Sequence, residues 1–262
     1  MLKIVVFDGG WGGEVVANFL ESELGIAEII RVVDWDNAPY EDKTLTQICH
    51  YADRALRPYI GKTDLIVMGG YTASYALGYL RRRYNTQKFV GMGVNYRRIL
   101  KSRLYPYNVT LMMDSMLIDT PFCTELQEKL PCSTLVVPDC SGWETMINEG
   151  LITIERMRAD LETYFELSPR KTYLKSERNS SILVKVMQEK YAAKSPAPAR
   201  IASEPLIHSD VVLLLNTNFW EIKEDLEKLF GYNVRVLDFR RKLLRDVCAA
   251  LNLLGVDGER SG

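Results

Sequence analysis

Histidine is nearly absent from this chain: among 262 residues there are only His50 and His208. A serine hydrolase would have to use one of them, and no G-x-S-x-G turn is present to carry its nucleophile. Five cysteines stand at 49, 123, 132, 140 and 248. The count is odd and no C-x-x-C pair occurs, so neither a disulfide framework nor a structural zinc site is expected. An excess of one charge is missing too. Lys+Arg 33 against Asp+Glu 34 leaves a net charge of −1, whereas nucleic-acid-binding domains are usually basic. No run approaches the ~18 apolar residues of a membrane helix. The opening Ile4-Val5-Val6-Phe7 is cut at Asp8, which makes it a strand and not a secretion signal. These absences lead to the expectation of a cytoplasmic protein with no membrane or nucleic-acid partner.

What is present is a globular pattern. Short β-branched runs (3–7, 29–33, 64–68, 88–92) alternate with helical periodicity (14–24, 44–60, 73–80). That alternation predicts an α/β fold with mostly parallel sheets flanked by helices. Later strands are expected at 109–113, 134–137, 211–215 and 234–237. Helices are expected at 144–149, 157–165, 182–191, 221–230 and 241–254.

Three loops stand out at strand-to-helix junctions. Asp8-Gly9-Gly10-Trp11-Gly12-Gly13 follows the first strand, where open α/β sheets place ligands and glycines let backbone approach them. It lacks both the G-x-G-x-x-G spacing and the GK[ST] of nucleotide loops. Gly69-Gly70-Tyr71-Thr72-Ala73-Ser74 follows the third strand, and Thr72 is there either a carboxylate ligand or a helix N-cap. Leu215-Asn216-Thr217-Asn218-Phe219-Trp220 repeats that arrangement, again with a capping alternative. Ser115 follows the strand at 109–113. Cys140 is more readily a small apolar residue than a reactive thiol. Cys49 and His50 are adjacent on a helix and so do not face each other. Arg81-Arg82-Arg83 ends a helix, where positive charge suits the dipole.

Taken in order, these segments resemble the aspartate/glutamate racemase superfamily, glutamate racemase most of all. Val6-Phe7-Asp8-Gly9-Gly10-Trp11-Gly12-Gly13 resembles its V-F-D-S-G-x-G-G. Ala38-Pro39-Tyr40 with the following residues to Thr44 resembles P-Y-G-x-[KR]-[ST]. Gly70-Tyr71-Thr72-Ala73-Ser74 falls on C-N-T-A-S, the segment 140–150 on one that starts C-P and ends E-E-G, Leu215-Asn216-Thr217-Asn218-Phe219 on G-C-T-H-Y, and Val236-Leu237-Asp238 on I-D-S.

The resemblance implies two lobes with a ligand cleft between them: residues 1–95 plus 221–262 in lobe one and 96–220 in lobe two. A charged helical insertion is expected at about 156–205. It implies cofactor-independent chemistry through two thiols on opposite faces of a substrate α-carbon, with no metal. On this chain, however, the two thiol positions fall on Gly70 and Asn216. The family's histidine falls on Asn218, and Asp8 alone remains of the acid–base set, which makes it the one candidate catalytic residue. The expected ligand-binding residues are Gly9, Pro39, Tyr40, Gly70, Tyr71, Thr72, Ser115, Asn216, Thr217 and Asn218. The expectation is a racemase-like protein that has lost two-cysteine racemisation and binds a small amino or carboxylic acid. The alternative is an active racemase, isomerase or lyase using other residues. A homodimer is the one further partner implied.

Overall fold

A computed structural model of the chain describes residues 1–25, 27–94, 107–113, 117, 120–130, 132–140, 142–167, 172–174, 183–184 and 209–253. They form two compact units. The first comprises Met1–Asn95, Asn216–Trp220 and Asp238–Gly262; the second comprises Tyr96–Leu215 and Glu221–Leu237.

The first unit is built on strands β1 (Leu2–Asp8), β2 (Ala27–Val33), β3 (Leu65–Met68) and β4 (Phe89–Gly91). They pair in parallel in the order β2-β1-β3-β4. β3, read LIVM, is buried at every position, as is β1 from Ile4 onward. Continuous apolar runs of this kind suit a parallel sheet covered on both faces. Helix α1 (Gly12–Leu24) buries Val16, Ala17, Leu20 and Leu24 along one stripe and ends at Gly25 in the left-handed conformation. Helix α2 (Leu45–Leu56) starts with a capping box between Thr44 and Gln47. The helical periodicity of 44–60 breaks before its expected end: Pro58 turns residues Arg57–Tyr59 into a short 3-10 segment. A 3-10 turn at Ala73–Ala76 precedes α3 (Leu77–Arg83). The order of strands reverses between β1 and β3, so their C-terminal ends, Asp8 and Gly69-Gly70, flank the switch point where such sheets bind ligands.

The second unit contains β5 (Tyr107–Met112), α4 (Pro121–Lys129), β6 (Cys132–Val136), α5 (Trp143–Asn148), α6 (Ile154–Leu167), β7 (Thr172–Leu174), β8 (Leu183–Val184), β9 (Val211–Leu214), α7 (Lys223–Phe230) and β10 (Arg235–Leu237). The sheet order is β10-β9-β5-β6-β7-β8. The first four strands are parallel; β7 and β8 add an antiparallel edge. Helix α8 (Arg240–Ala250) belongs to the first unit and packs on β3 and β4.

Three expectations are corrected here. Residues 221–237 belong to the second unit, because β10 completes that sheet beside β9. Residues 216–220 belong to the first, where they pack on α1. The helix expected at 182–191 is contradicted at Leu183–Val184, which pair with β7 as a strand; its remaining residues lie outside those described. Helix α4, which buries Cys123 and Leu126 on one side, is not among the helices expected from the sequence. Among the described residues, no helix is long and apolar enough to cross a membrane.

Candidate functional site

The first unit gathers the loops that follow β1 and β3, the segment 216–220, and the start of the chain beyond β10. Asp8 ends β1 and is buried. Its Oδ1 accepts a hydrogen bond from the backbone N–H of Gly9 at 2.8 Å. Its carboxylate lies against Gly70: a Cβ at residue 70 would meet Oδ1 at 2.5 Å and Oδ2 at 3.0 Å, closer than real atoms pack. The same carboxylate reaches toward Gly12, where a Cβ would meet Oδ2 at 2.9 Å and would also land on the Thr217 hydroxyl. At Gly13 a Cβ would meet the Asp8 Cβ at 2.7 Å. Gly12, Gly13 and Gly70 therefore act by having no side chain. They let Asp8 and Thr217 approach the backbone at the start of α1 and the end of β3.

Gly9 has the same role toward Tyr40. A Cβ there would land on the Tyr40 ring. The Tyr40 hydroxyl donates to Asp34 Oδ2 at 2.9 Å, and Asn37 Nδ2 donates to both oxygens of the same carboxylate. Burial, then the bond to Asp34, then the negative charges of Asp34 and Asp8 push the Tyr40 phenol far above its ordinary range. Tyr40 is thus a neutral donor locked onto Asp34. Pro39, beside it, is exposed.

Thr72 is not the N-cap that its position allows. It precedes the turn Ala73–Ala76, yet its side chain makes no capping bond. Its hydroxyl is buried and without a hydrogen-bond partner. Ser74 does the local work instead: its hydroxyl donates to the Gly70 carbonyl at 2.6 Å and accepts from the Met92 N–H at 2.9 Å. Tyr71 is buried, and burial followed by the charge of Asp238 raises its phenol well above the usual value.

Asn216 does behave as a cap. Its Oδ1 accepts from the Asn218 backbone N–H at 2.9 Å and from Asn218 Nδ2 at 3.2 Å. These bonds turn the Asn216 side chain back onto its own loop, in the manner of an Asx turn. They also fix the Asn218 amide with its nitrogen inward, leaving Oδ1 buried and without a partner. Behind this loop, Arg240 Nε stands 3.1 Å from Asp238 Oδ1 and its guanidinium lies over the Trp220 ring, 5.4 Å from the centroid. Arg240 also donates to the Trp220 carbonyl.

Of the residues expected in the site, the structure brings Asp8, Gly70 and Thr217 together and sets Gly9 against Tyr40. Ser115 lies outside the described residues, and Cys140 belongs to the second unit. The two cysteines of the first unit lie within α2 (Cys49) and α8 (Cys248), not at a strand end. Burial raises both thiols, the effect on Cys49 being opposed in part by Arg82. Arg83 pairs with Asp53 and Arg81 donates to the Phe89 carbonyl, so these two arginines make structural bonds within the first unit. Asp34 was missed as the anchor of Tyr40, and Arg240 as the partner of Asp238; in both cases only the fold brings the pair together. Among the described residues, no group of histidine, cysteine or carboxylate side chains is placed to hold a metal ion.

No family model matches the chain. It is similar to glutamate racemases from Sulfurovum (32% identity over 93 residues) and Lachnospira eligens (35% over 85 residues). These matches cover 34% and 32% of this chain, and it spans about a third of the length of those curated relatives (35% and 32%). The fold match is far more extensive. Escherichia coli glutamate racemase, solved with L-glutamate and the activator UDP-MurNAc-Ala, superposes with a TM-score of 0.70 over 98% of this chain and 84% of that one, at 17% identity. The Francisella tularensis enzyme, solved with D-glutamate, gives 0.65 over 97% and 84%, at 18% identity. Over about a third of its length the chain is thus similar in sequence to glutamate racemases, and over nearly all of it the chain shares their fold.

Proposed function

We propose that this chain binds a small amino or carboxylic acid through the Asp8–Thr72–Asn218 region of its first unit, and that it does not racemise that ligand by two thiols. The observation that carries this reading is the pair of positions expected to hold the thiols. At residue 70 there is no side chain, and the space it would fill is taken by the Asp8 carboxylate. At residue 216 the side chain is an amide whose oxygen closes a turn. Neither group titrates near neutral pH, and each positioned acid or base contributes about 10²–10⁴-fold to such a reaction.

Binding is supported by the buried Thr72 hydroxyl and Asn218 Oδ1 without partners. Each unsatisfied group of this kind costs about 1–3 kcal/mol, which a ligand would recover. The glutamate bound in two fold relatives agrees with a ligand of this size.

A second reading is favoured by Asp8 itself. Its carboxylate stands where a side chain at residue 70 would project, and an isomerase or lyase using Asp8 as its base would exploit that. One experiment separates the two readings. The protein is incubated in D₂O with L- and D-glutamate and L- and D-aspartate, and the α-proton is followed by NMR while chirality is followed by circular dichroism. The expected result is ligand line broadening with neither exchange nor interconversion of enantiomers. Interconversion overturns the first reading. Exchange that disappears in Asp8→Asn establishes the second.

A further inference from the structure

We propose that Trp11 and Trp35 form a docking surface for a basic protein segment, whose lysine or arginine side chains lie against the two indoles. This surface is separate in function from the acid site and does not depend on it.

The chain has four tryptophans. Trp143 and Trp220 are buried, as large rings mostly are. Trp11 and Trp35 are 49% and 50% exposed, yet they touch: their ring centroids lie 4.8 Å apart in an edge-to-face arrangement. They come from different loops. Trp11 lies between β1 and the first residue of α1, and Trp35 follows β2. The backbone N–H of Asp34 donates to the Asp8 carbonyl at 3.1 Å, which carries the pairing of β1 and β2 to the point where the two loops begin. The aromatic pair is thus mounted on the ends of two hydrogen-bonded strands. Indole rings held in place and left open to water are the anchors on which protein partners most often dock.

The charges around the pair select the partner. Asp34, beside Trp35, is a buried carboxylate whose hydrogen bonds come from neutral donors, the Tyr40 hydroxyl and the Asn37 amide. Asp36, on the other side of Trp35, is exposed. Glu14, whose backbone N–H donates to the Trp11 carbonyl at 2.9 Å, shares the single base Arg31 with Glu21. Four carboxylates therefore stand against one guanidinium. The N-terminus of α1 adds only about half a positive charge. A cation is attracted to the face of an aromatic ring, tryptophan most of all. A basic side chain would meet the ring face and the negative field together. An acidic segment would be repelled, and a neutral apolar one would gain nothing from the carboxylates.

The test is calorimetric titration of the full chain at pH 7 with amidated hexapeptides of arginine, of lysine and of glutamate, and with a neutral peptide of alternating leucine and serine. The arginine and lysine peptides are expected to bind, and the other two are not. Trp11→Ala combined with Trp35→Ala should weaken that binding about tenfold or more, although the charge is unchanged. Trp11→Phe combined with Trp35→Phe keeps a ring at both positions. It should weaken binding less, and it guards against a loop that does not tolerate alanine. Asp36→Asn should weaken binding about two- to fivefold at low salt, and by less in roughly 0.5 M salt, where exposed charges are screened. Failure of both cationic peptides to bind overturns the proposal. So does binding that the tryptophan replacements leave unchanged, which would reflect general attraction to charge. Tighter binding of the neutral peptide, or a dimer in sedimentation that the alanine pair dissolves, would assign the surface to an apolar partner or to a second copy of this chain, and overturns it too.

Discussion

The carboxylate of Asp8 fills the space above the α-carbon of Gly70, so that a Cβ at residue 70 would lie 2.5 Å from Oδ1. Residues 8 and 70 therefore touch: with the Asp8 carboxylate in this conformation, a side chain at residue 70 fits only if the carboxylate turns away.

Gly70→Cys, which restores a thiol at that position, should consequently fail to restore racemisation. The added atoms displace Asp8, and overpacking of this kind costs about 1–3 kcal/mol. Urea unfolding should show the loss, and Asp8→Ala in the same chain should recover part of it, with a coupling of about 0.5–3 kcal/mol as expected for residues in contact. Additive effects of the two substitutions would contradict the pairing.

A second close approach is that of Gly9 to Tyr40. Gly9→Ser places its Cβ on the Tyr40 ring, and a drop in unfolding midpoint is expected. Tyr40→Phe keeps the ring but removes the donor to Asp34. Hydrogen bonds to charged groups are worth about 1.5–3 kcal/mol, so the variant should lose stability in that range. Asp34→Asn in the Tyr40→Phe background should then cost less than it does alone.

Alkaline pH provides an independent check. The phenols of Tyr40 and Tyr71 are both raised, chiefly by burial and then by neighbouring carboxylates. In the unfolded chain each ionises near its ordinary value of about 10. Below that pH both states hold the proton and the stabilisation is fully present; above it only the unfolded state releases the proton, and stability declines. The melting temperature should fall as pH rises above about 10, and Tyr40→Phe should flatten that fall. An ultraviolet titration should leave these two phenols protonated in the native protein at a pH where the unfolded chain releases them.

Thiol chemistry should leave the site untouched. Burial raises Cys49, opposed in part by Arg82, and burial raises Cys248, so both are poor thiolates at neutral pH. Iodoacetamide at pH 7 is expected to label them slowly, at rates that rise only under denaturing conditions. Acid binding should survive the treatment. Loss of binding in step with modification of either cysteine would place a thiol in the site after all.

Much of this arrangement was legible beforehand because it is local. Ile4–Phe7 and Leu65–Met68 announce buried parallel strands by composition alone, and the glycines after each mark junctions with the next turn or helix. Asp8, Thr72 and Asn218 stand out in the sequence by their places after strands, as candidates. What could not be read is what long-range packing decides. Thr72 carries the identity of an N-cap, yet Ser74 takes over the local bonds and leaves the Thr72 hydroxyl buried. Asp34 looks like an ordinary loop acid until Tyr40 is folded against it. Residues 216–220 follow a strand of the second unit, so their place on α1 is visible only in three dimensions. The strand at Leu183–Val184 pairs with β7, a contact that no local periodicity encodes.

The placement of Thr217 over Gly12 has a consequence for how the protein is made. Gly12 is synthesised well before Thr217, which lies 205 residues further along the chain. The first unit also awaits α8, which follows Thr217 in sequence. Its opening four-stranded sheet can assemble early, but the binding loops must wait for partners delivered late, across a large loop-closure distance. A chain stopped at residue 95 would contain Asp8, Gly70 and Thr72 and still present no finished site. On the proposed function, a molecule truncated there should show no acid binding, and binding should appear only once residues 216–220 have packed on α1.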